Sequence, residues 1–238
     1  DMEYAEPSVQ GHRESRTPTV PVVTTRDEDI VRWITRHGLV TADQVEARFF
    51  GSPWAAYRRL RALGMLGLIR RDATHYRHPA VIRVTTAGAR LAAVGVGPAP
   101  LVLDRVSHSL ALVDLTERLL ADHPDATLTT EREYRAHLLR ALRAGVRPTK
   151  GRIPDGILRL SSPDGALRVA LELDLTAKGA RQVEQVITAY ASLYIAAPID
   201  EGFNRVWWYA APGVVSRMQA IVDRENANFL IEVREWRP

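Results

Sequence analysis

The chain contains no cysteine. Disulfides and thiolate metal sites are therefore excluded, and a cytoplasmic location is the default expectation. No apolar run approaches the ~18 residues that a membrane span needs, so no membrane partner is expected, and no secretory leader is expected either. Lysine is almost missing. Of 32 basic residues thirty are arginine, and the two lysines are Lys150 and Lys178. A compact ammonium can do chemistry that a guanidinium cannot, so a lysine retained where arginine serves elsewhere draws notice.

What is present is ordinary globular material: 46% hydrophobic and 25% charged over 238 residues, enough for one large core or two modest ones. The net charge of +4 is unevenly spread. Residues 1–25 carry two arginines against four acids, residues 26–90 twelve against six, and the remainder balances. The positive excess sits in one segment, which points to a polyanion partner for that segment.

Residues 1–25 mix Pro, Ser, Thr, Glu and Arg without apolar periodicity and read as a flexible tail. From Thr25 a helix is predicted with Ile30, Val31, Trp33 and Ile34 inward, followed by Gly38 and Leu39. Thr41 and Gln44 form a capping box for a second helix, with Val45 and Phe49-Phe50 inward. Ser52 caps a third helix to about Gly64, with Ala55, Leu60 and Leu63 facing the core and Arg58, Arg59 and Arg61 on or beside the outer face. A hairpin follows, from Leu68–Arg71 to Ala80–Val84, and then a short helix capped by Thr86. Three helices and a hairpin carrying the charge excess describe a winged helix-turn-helix over residues 26–95, its third helix entering the major groove of duplex DNA. Ser52, Trp54, Tyr57, Arg58, Arg59 and Arg61 are expected near DNA. The wing adds Arg70, Arg71, His75, Tyr76, Arg77 and His78, mostly as phosphate contacts. His75 and His78 also have metal-like spacing, but no third ligand is near in sequence.

Residues 96–105, rich in Gly and Pro, read as a linker. A strongly apolar helix from about Val106 to Ala121 can pack on the second domain or pair with a copy of itself, so a homodimer joins DNA among the expected partners. His108, near its start, reads as a capping or core histidine. A strand over 126–129 and a helix from Glu131 to Leu142 follow, the latter with Tyr134, Leu138, Leu139 and Leu142 on one stripe. After the hairpin discussed next come a helix over 178–194, a strand over 205–210 with Trp207 and Trp208 as core residues, a helix over 214–226 and a strand over 229–233.

The second domain, 106–238, is organised around residues 154–178. Ser162-Pro163-Asp164-Gly165 has the composition of a type I turn between two strand-like runs. A hairpin folded about Pro163–Asp164 sets Asp155 opposite Glu172, and a glycine bulge at the turn would slip that register by one. Asp174, two residues past Glu172, shares its face. Three carboxylates thus meet at one end of a sheet, and such acids ask for a cation. The plainer alternative is that Glu172 and Asp174 pair with arginines of neighbouring elements or face solvent at an edge.

The order helix, hairpin, helix, strand, with Pro154-Asp155 on one strand and Glu172-Leu173-Asp174 on the next, resembles the PD-(D/E)xK nuclease core. The resemblance implies an α/β restriction-endonuclease-like second domain, so that with the winged helix-turn-helix before it the chain is expected to be α+β. It implies Asp155 and Glu172 as Mg²⁺ ligands, with Glu131 matching an acid those folds place on the preceding helix. The lysine of that pattern belongs two residues after the second acid, where this chain has Asp174. Lys178, reaching back, is the candidate substitute, so the catalytic set becomes Asp155, Glu172, Asp174 and Lys178. From Arg26 to Val233 the chain also resembles the replication-relaxation family of actinobacterial plasmids and integrative elements. That likeness rests on Leu60-Arg61-Ala62-Leu63-Gly64, Leu68-Ile69-Arg70-Arg71, Thr85-Thr86-Ala87-Gly88, Thr130-Glu131-Arg132-Glu133, Pro154-Asp155-Gly156 and Glu172-Leu173-Asp174. It implies DNA binding in replication or transfer of a mobile element. A Mg²⁺-dependent endonuclease or nickase and a winged-helix transcriptional repressor remain the alternatives.

Overall fold

The computed structural model describes residues 21–74, 79–146, 151–161, 165–196 and 202–238. His75, Tyr76, Arg77 and His78, expected in a wing, Ser162, Pro163 and Asp164, expected in a turn, and Lys150 lie outside them. The chain is α+β, with eight α-helices among the described residues. None is long and apolar enough to cross a membrane.

Helix α1 (Thr25–His37) starts at a capping box in which the Thr24 hydroxyl and the Asp27 carboxylate serve each other's backbone, and it ends at Gly38. Helix α2 (Ala42–Phe49) opens on the reciprocal Thr41–Gln44 cap that the sequence indicated. Helix α3 (Pro53–Met65) is capped by Ser52, with Pro53 in the first turn where its missing N–H costs nothing. These helices enclose Ile30, Ile34, Val45, Leu60 and Leu63. The inward alanine of α3 is Ala56, not Ala55, while Phe49 and Phe50 are only half-buried. Strands β1 (Ile69–Asp72) and β2 (Val81–Val84) form an antiparallel hairpin, to which Val40 adds a single bridge at Ile82. Helix α4 (Thr86–Ala92) is capped by Thr85 rather than Thr86, and the Thr85 hydroxyl also bonds to the Gly67 carbonyl. Gly88 lies so close to the Leu68 carbonyl that any Cβ there would overlap it.

A short 3-10 turn, Leu103–Arg105, leads into α5 (Val106–Asp122). Strand β3 (Thr127–Thr130), helix α6 (Glu131–Arg143), strands β4 (Gly156–Leu160) and β5 (Leu167–Asp174), helix α7 (Ala180–Ala196), strand β6 (Arg205–Ala210), helix α8 (Pro212–Arg224) and strand β7 (Ile231–Glu235) complete the chain. The five strands lie in the order β3-β4-β5-β6-β7, antiparallel up to β5 and parallel beyond it. Helices α7 and α8 form the two crossovers that the parallel pairs require. Gly156 faces Leu171 and Leu160 faces Leu167, the register a fold about Pro163–Asp164 demands, with no one-residue slip among these pairs.

The period of two along β5 sorts its side chains. Val169, Leu171 and Leu173 join the core beneath α5 with Leu115, Leu119 and Trp207. Ala170 joins the core beneath α7 and α8 with Val183, Tyr190, Trp208 and Met218. Each buried valine, leucine or methionine among them contributes roughly 1.5–3 kcal/mol. Glu172 and Asp174 fall on the α7 face, buried among apolar neighbours. Helix α5 belongs to both halves of the chain: Val113 sits in the α1–α3 core while Leu115 and Leu119 pack on the sheet. The segment between the halves is strapped down. The carbonyls of Gly95, Gly97 and Ala99 accept from Arg140, Arg132 and Arg83.

Candidate functional site

Two places gather the residues singled out by the sequence. The first is the outer face of α3. Trp54, Tyr57, Arg58 and Arg61 recur at i, i+3, i+4 and i+7 and therefore form one stripe. All four are exposed, Trp54 by 67% and Tyr57 by 58%. Met65, which the sequence reading did not name, extends the stripe by one more turn and is also exposed. The Arg58 guanidinium lies 4.4 Å from the Trp54 ring centroid, a cation–π contact that keeps the cation at the surface. Ser52 is committed to the cap of α3.

The other DNA-side candidates divide. Arg59 turns from the outer face to α1, where it pairs with Asp27 and bonds the Val22 carbonyl. Asp27 is buried, and although burial alone pushes its carboxyl up, Arg59 and Thr24 together hold it below the usual range. Arg70 is paired with Asp72, which Arg83 also reaches at 2.8 Å. Among the described residues Arg58, Arg61 and Arg71 stand in no ion pair.

The second place is a cleft of about 870 Å³ where the ends of α1, α5, α6, β4 and β5 meet. Asp155, Glu172, Asp174, Lys178 and Glu131 all line it. Asp155 accepts from the Leu173 N–H at 2.9 Å and its own N–H bonds Leu171 O, so it extends the ladder one step past β4. Its carboxylate is 3.3 Å from His108 Nε2, which also lies 3.1 Å from Leu173 O. The hydrogen bond that the His108 imidazole donates to the Asp155 carboxylate raises the His108 pKa against the opposing effect of burial. His108 is thus neither a cap nor a core filler.

Glu172 receives Arg152 Nε and Nη2 on its two oxygens, each at 2.6 Å, and the Tyr190 hydroxyl at 2.5 Å. Burial pushes its carboxyl up, Asp155 adds to that push, and Arg152 pulls it back. Asp174 accepts from Trp208 Nε1 at 3.0 Å and meets Lys178 Nζ at 2.6 Å. Lys178 does reach back, from the loop before α7 rather than from the helix. Glu131 pairs with Arg135 on its own helix.

Nothing in the sequence singled out Arg152, and neither His108 nor Tyr190 was expected as a partner of these acids. The only signal for Arg152 was chemical: an apolar strand carrying a buried acid needs a base within reach. The plainer alternative, acids paired with arginines of neighbouring elements, describes Glu172 but not Asp174, whose partner is Lys178. Mg²⁺ takes six oxygens at about 2.0–2.1 Å in an octahedral shell, several of them water, and is held by one or two carboxylate oxygens free to face it. Here the oxygens of Glu172 are held by a guanidinium and a phenol, and the other acids are each matched by a base. Among the described residues no group of three or more His, Asp or Glu side chains is placed to hold an ion. As arranged, the donor set does not fit a metal.

No curated protein matches the chain. The family model described as replication-relaxation matches residues 31–206, from α1 into β6 and so across both the α3 stripe and the cleft. The chain belongs to the replication-relaxation family.

Proposed function

We propose that the protein binds duplex DNA through the outer face of α3, as a winged helix-turn-helix module acting in replication or transfer of a mobile element. The single observation that carries this reading is the stripe Trp54, Tyr57, Arg58, Arg61, which exposes large aromatics and cations on one helix face. Aromatic rings that size are usually buried, and exposing them has a use when they meet sugar and base edges. Arg58 and Arg61 supply phosphate or guanine contacts, and Arg71 on the hairpin supplies another phosphate contact. The α1-α2-α3-β1-β2 order supports this reading.

In this reading the sheet behind it is a nuclease-like scaffold that binds without cutting. Cutting needs a metal in the cleft, and the acids there are matched by Arg152, Lys178 and His108. The test is fluorescence anisotropy on a labelled duplex across a salt series. The wild type should bind with log affinity falling linearly against log salt, and Arg58→Glu/Arg61→Glu should abolish binding without lowering the melting temperature. Equal affinity in that variant overturns the placement. Supercoiled plasmid incubated with Mg²⁺ or Mn²⁺ tests the other half: nicking by wild type but not by Asp155→Ala overturns binding without cutting.

A further inference from the structure

The most constrained charge in the molecule is Glu172. It is 2% exposed and surrounded by the core beneath α7, an environment in which an ionised carboxylate needs a full positive charge and filled lone pairs. We propose that Arg152 is a built-in replacement for a divalent cation at this position, its guanidinium neutralising Glu172 so that the acid-lined cleft is complete without metal.

The geometry is that of a fixed counter-ion. Nε and Nη2 approach side-on, one to each carboxylate oxygen at 2.6 Å, the arrangement in which a planar fork satisfies both oxygens at once. The Tyr190 hydroxyl donates to Oε1 as well, so a metal approaching Glu172 would have to displace two donors. The segment bearing Arg152 is pinned on both sides. Gly151 rests against Leu193 of α7 so closely that a Cβ there would run into the leucine side chain. Three residues beyond Arg152, the Asp155 N–H joins the sheet at Leu171 O. The same substitution recurs along the cleft, with Lys178 on Asp174 and His108 on Asp155, giving three acids and three bases of one chain. Arginine suits the innermost place because it does not lose its proton. The proposal rests on the reading of the cleft as a nuclease-like scaffold and not on the DNA-binding role of α3. DNA affinity tests the one reading and metal response tests the other.

The experiment is thermal unfolding of the full chain in EDTA and in millimolar Mg²⁺ or Mn²⁺. The wild type should melt at the same temperature in all three. Arg152→Ala should melt roughly 6–12 °C lower in EDTA, because a buried carboxylate has lost its counter-charge. Mn²⁺ should restore part of that loss, and the restoration should vanish in Arg152→Ala/Glu172→Gln. That double variant, with no charge left to neutralise, should melt above Arg152→Ala in EDTA, and it keeps the test decisive if the single variant folds poorly. A saturable Mn²⁺ stabilisation of the wild type that Glu172→Gln removes would overturn the proposal. So would an Arg152→Ala protein as stable as the wild type, or a double variant less stable than the single one.

Discussion

Arg58 and Arg152 are the same residue type placed under opposite constraints. On α3, Arg58 leans over Trp54 with its charge in water, and Arg61 one turn on is equally exposed. In the cleft Arg152 spends two of its donors on one buried carboxylate. The surface cation contributes little to folding and leaves its field facing water; the inner one is needed by the fold and offers little outward. The difference teaches that a count of arginines does not locate a binding face. What sets Arg58 and Arg61 apart is that, among the described residues, they have no acid of their own and stand exposed on one helix face beside Trp54 and Tyr57.

The sharpest way to break this comparison is to remove the inner cation. Arg152→Ala should lose about 3–5 kcal/mol in urea unfolding near neutral pH, since Glu172 is left buried and unpaired. The loss should itself depend on pH. Without Arg152 the folded-state carboxyl lies further above its unfolded value, so folding is penalised as pH rises past the ordinary carboxyl range and the penalty fades on the acid side. A loss equal at pH 5 and pH 8 would show that Glu172 is not the group responsible.

The second effect concerns a base that must stay neutral. His37, at the end of α1 and lining the cleft, has its pKa lowered from 6.5 to about 3, first by burial and then by Arg36 and Arg48. Glu117 lies 3.8 Å away, but Trp33 and Arg48 already occupy its oxygens. The unfolded chain takes up a proton below pH 6.5 that the folded chain refuses. Stability contributed by neutral His37 is therefore present above 6.5 and lost as pH falls toward 3, by a few kcal/mol in all. His37→Gln should flatten the acid limb of a stability–pH curve, and an unchanged limb would place the acid sensitivity elsewhere.

How far the sequence foretold this arrangement depends on the kind of signal. The register of β4 with β5 was legible because a turn composition fixes the fold point and a period of two does the rest. The acids of β5 were legible because two charges interrupt an otherwise apolar strand. Helix starts at Thr41 and Ser52 carried their own caps. Partners were not legible. Arg152 lies in a segment without periodicity, and nothing in its neighbours says that it will reach twenty residues ahead to Glu172. Arg59 shows the same limit from the other side. A helical wheel put it beside Arg58 on or near the outer face, but only the packing of α1 against α3 brings Asp27 to it. His108 had two ordinary roles open to it and took a third, because Asp155, just ahead of the start of β4, lies against the start of α5.

Arg59 also permits a comparison within one helix. Asp27→Ala removes the carboxylate half of the α1 capping box and the partner of Arg59, leaving the Thr24 cap in place, and should cost about 2–4 kcal/mol while leaving DNA affinity undiminished. A loss of DNA affinity as large as that of an α3 surface variant would mean that the stripe depends on α1 more than its exposure suggests.

The smallest expected effect is the most discriminating. Arg61→Ala touches no ion pair among the described residues, so its melting temperature should stay within about 1 °C of wild type. Its DNA affinity should fall by roughly fivefold, about 1 kcal/mol, and if Arg61 meets a phosphate the slope of log affinity against log salt should shrink by about one. A contact to a base edge instead leaves the slope nearly unchanged and weakens discrimination between sequences. An Arg61→Ala protein with both unaltered affinity and unaltered slope would move the nucleic-acid surface off this turn of α3. The outward cations would then be a solvated face, and the contrast with Arg152 would reduce to one of burial alone.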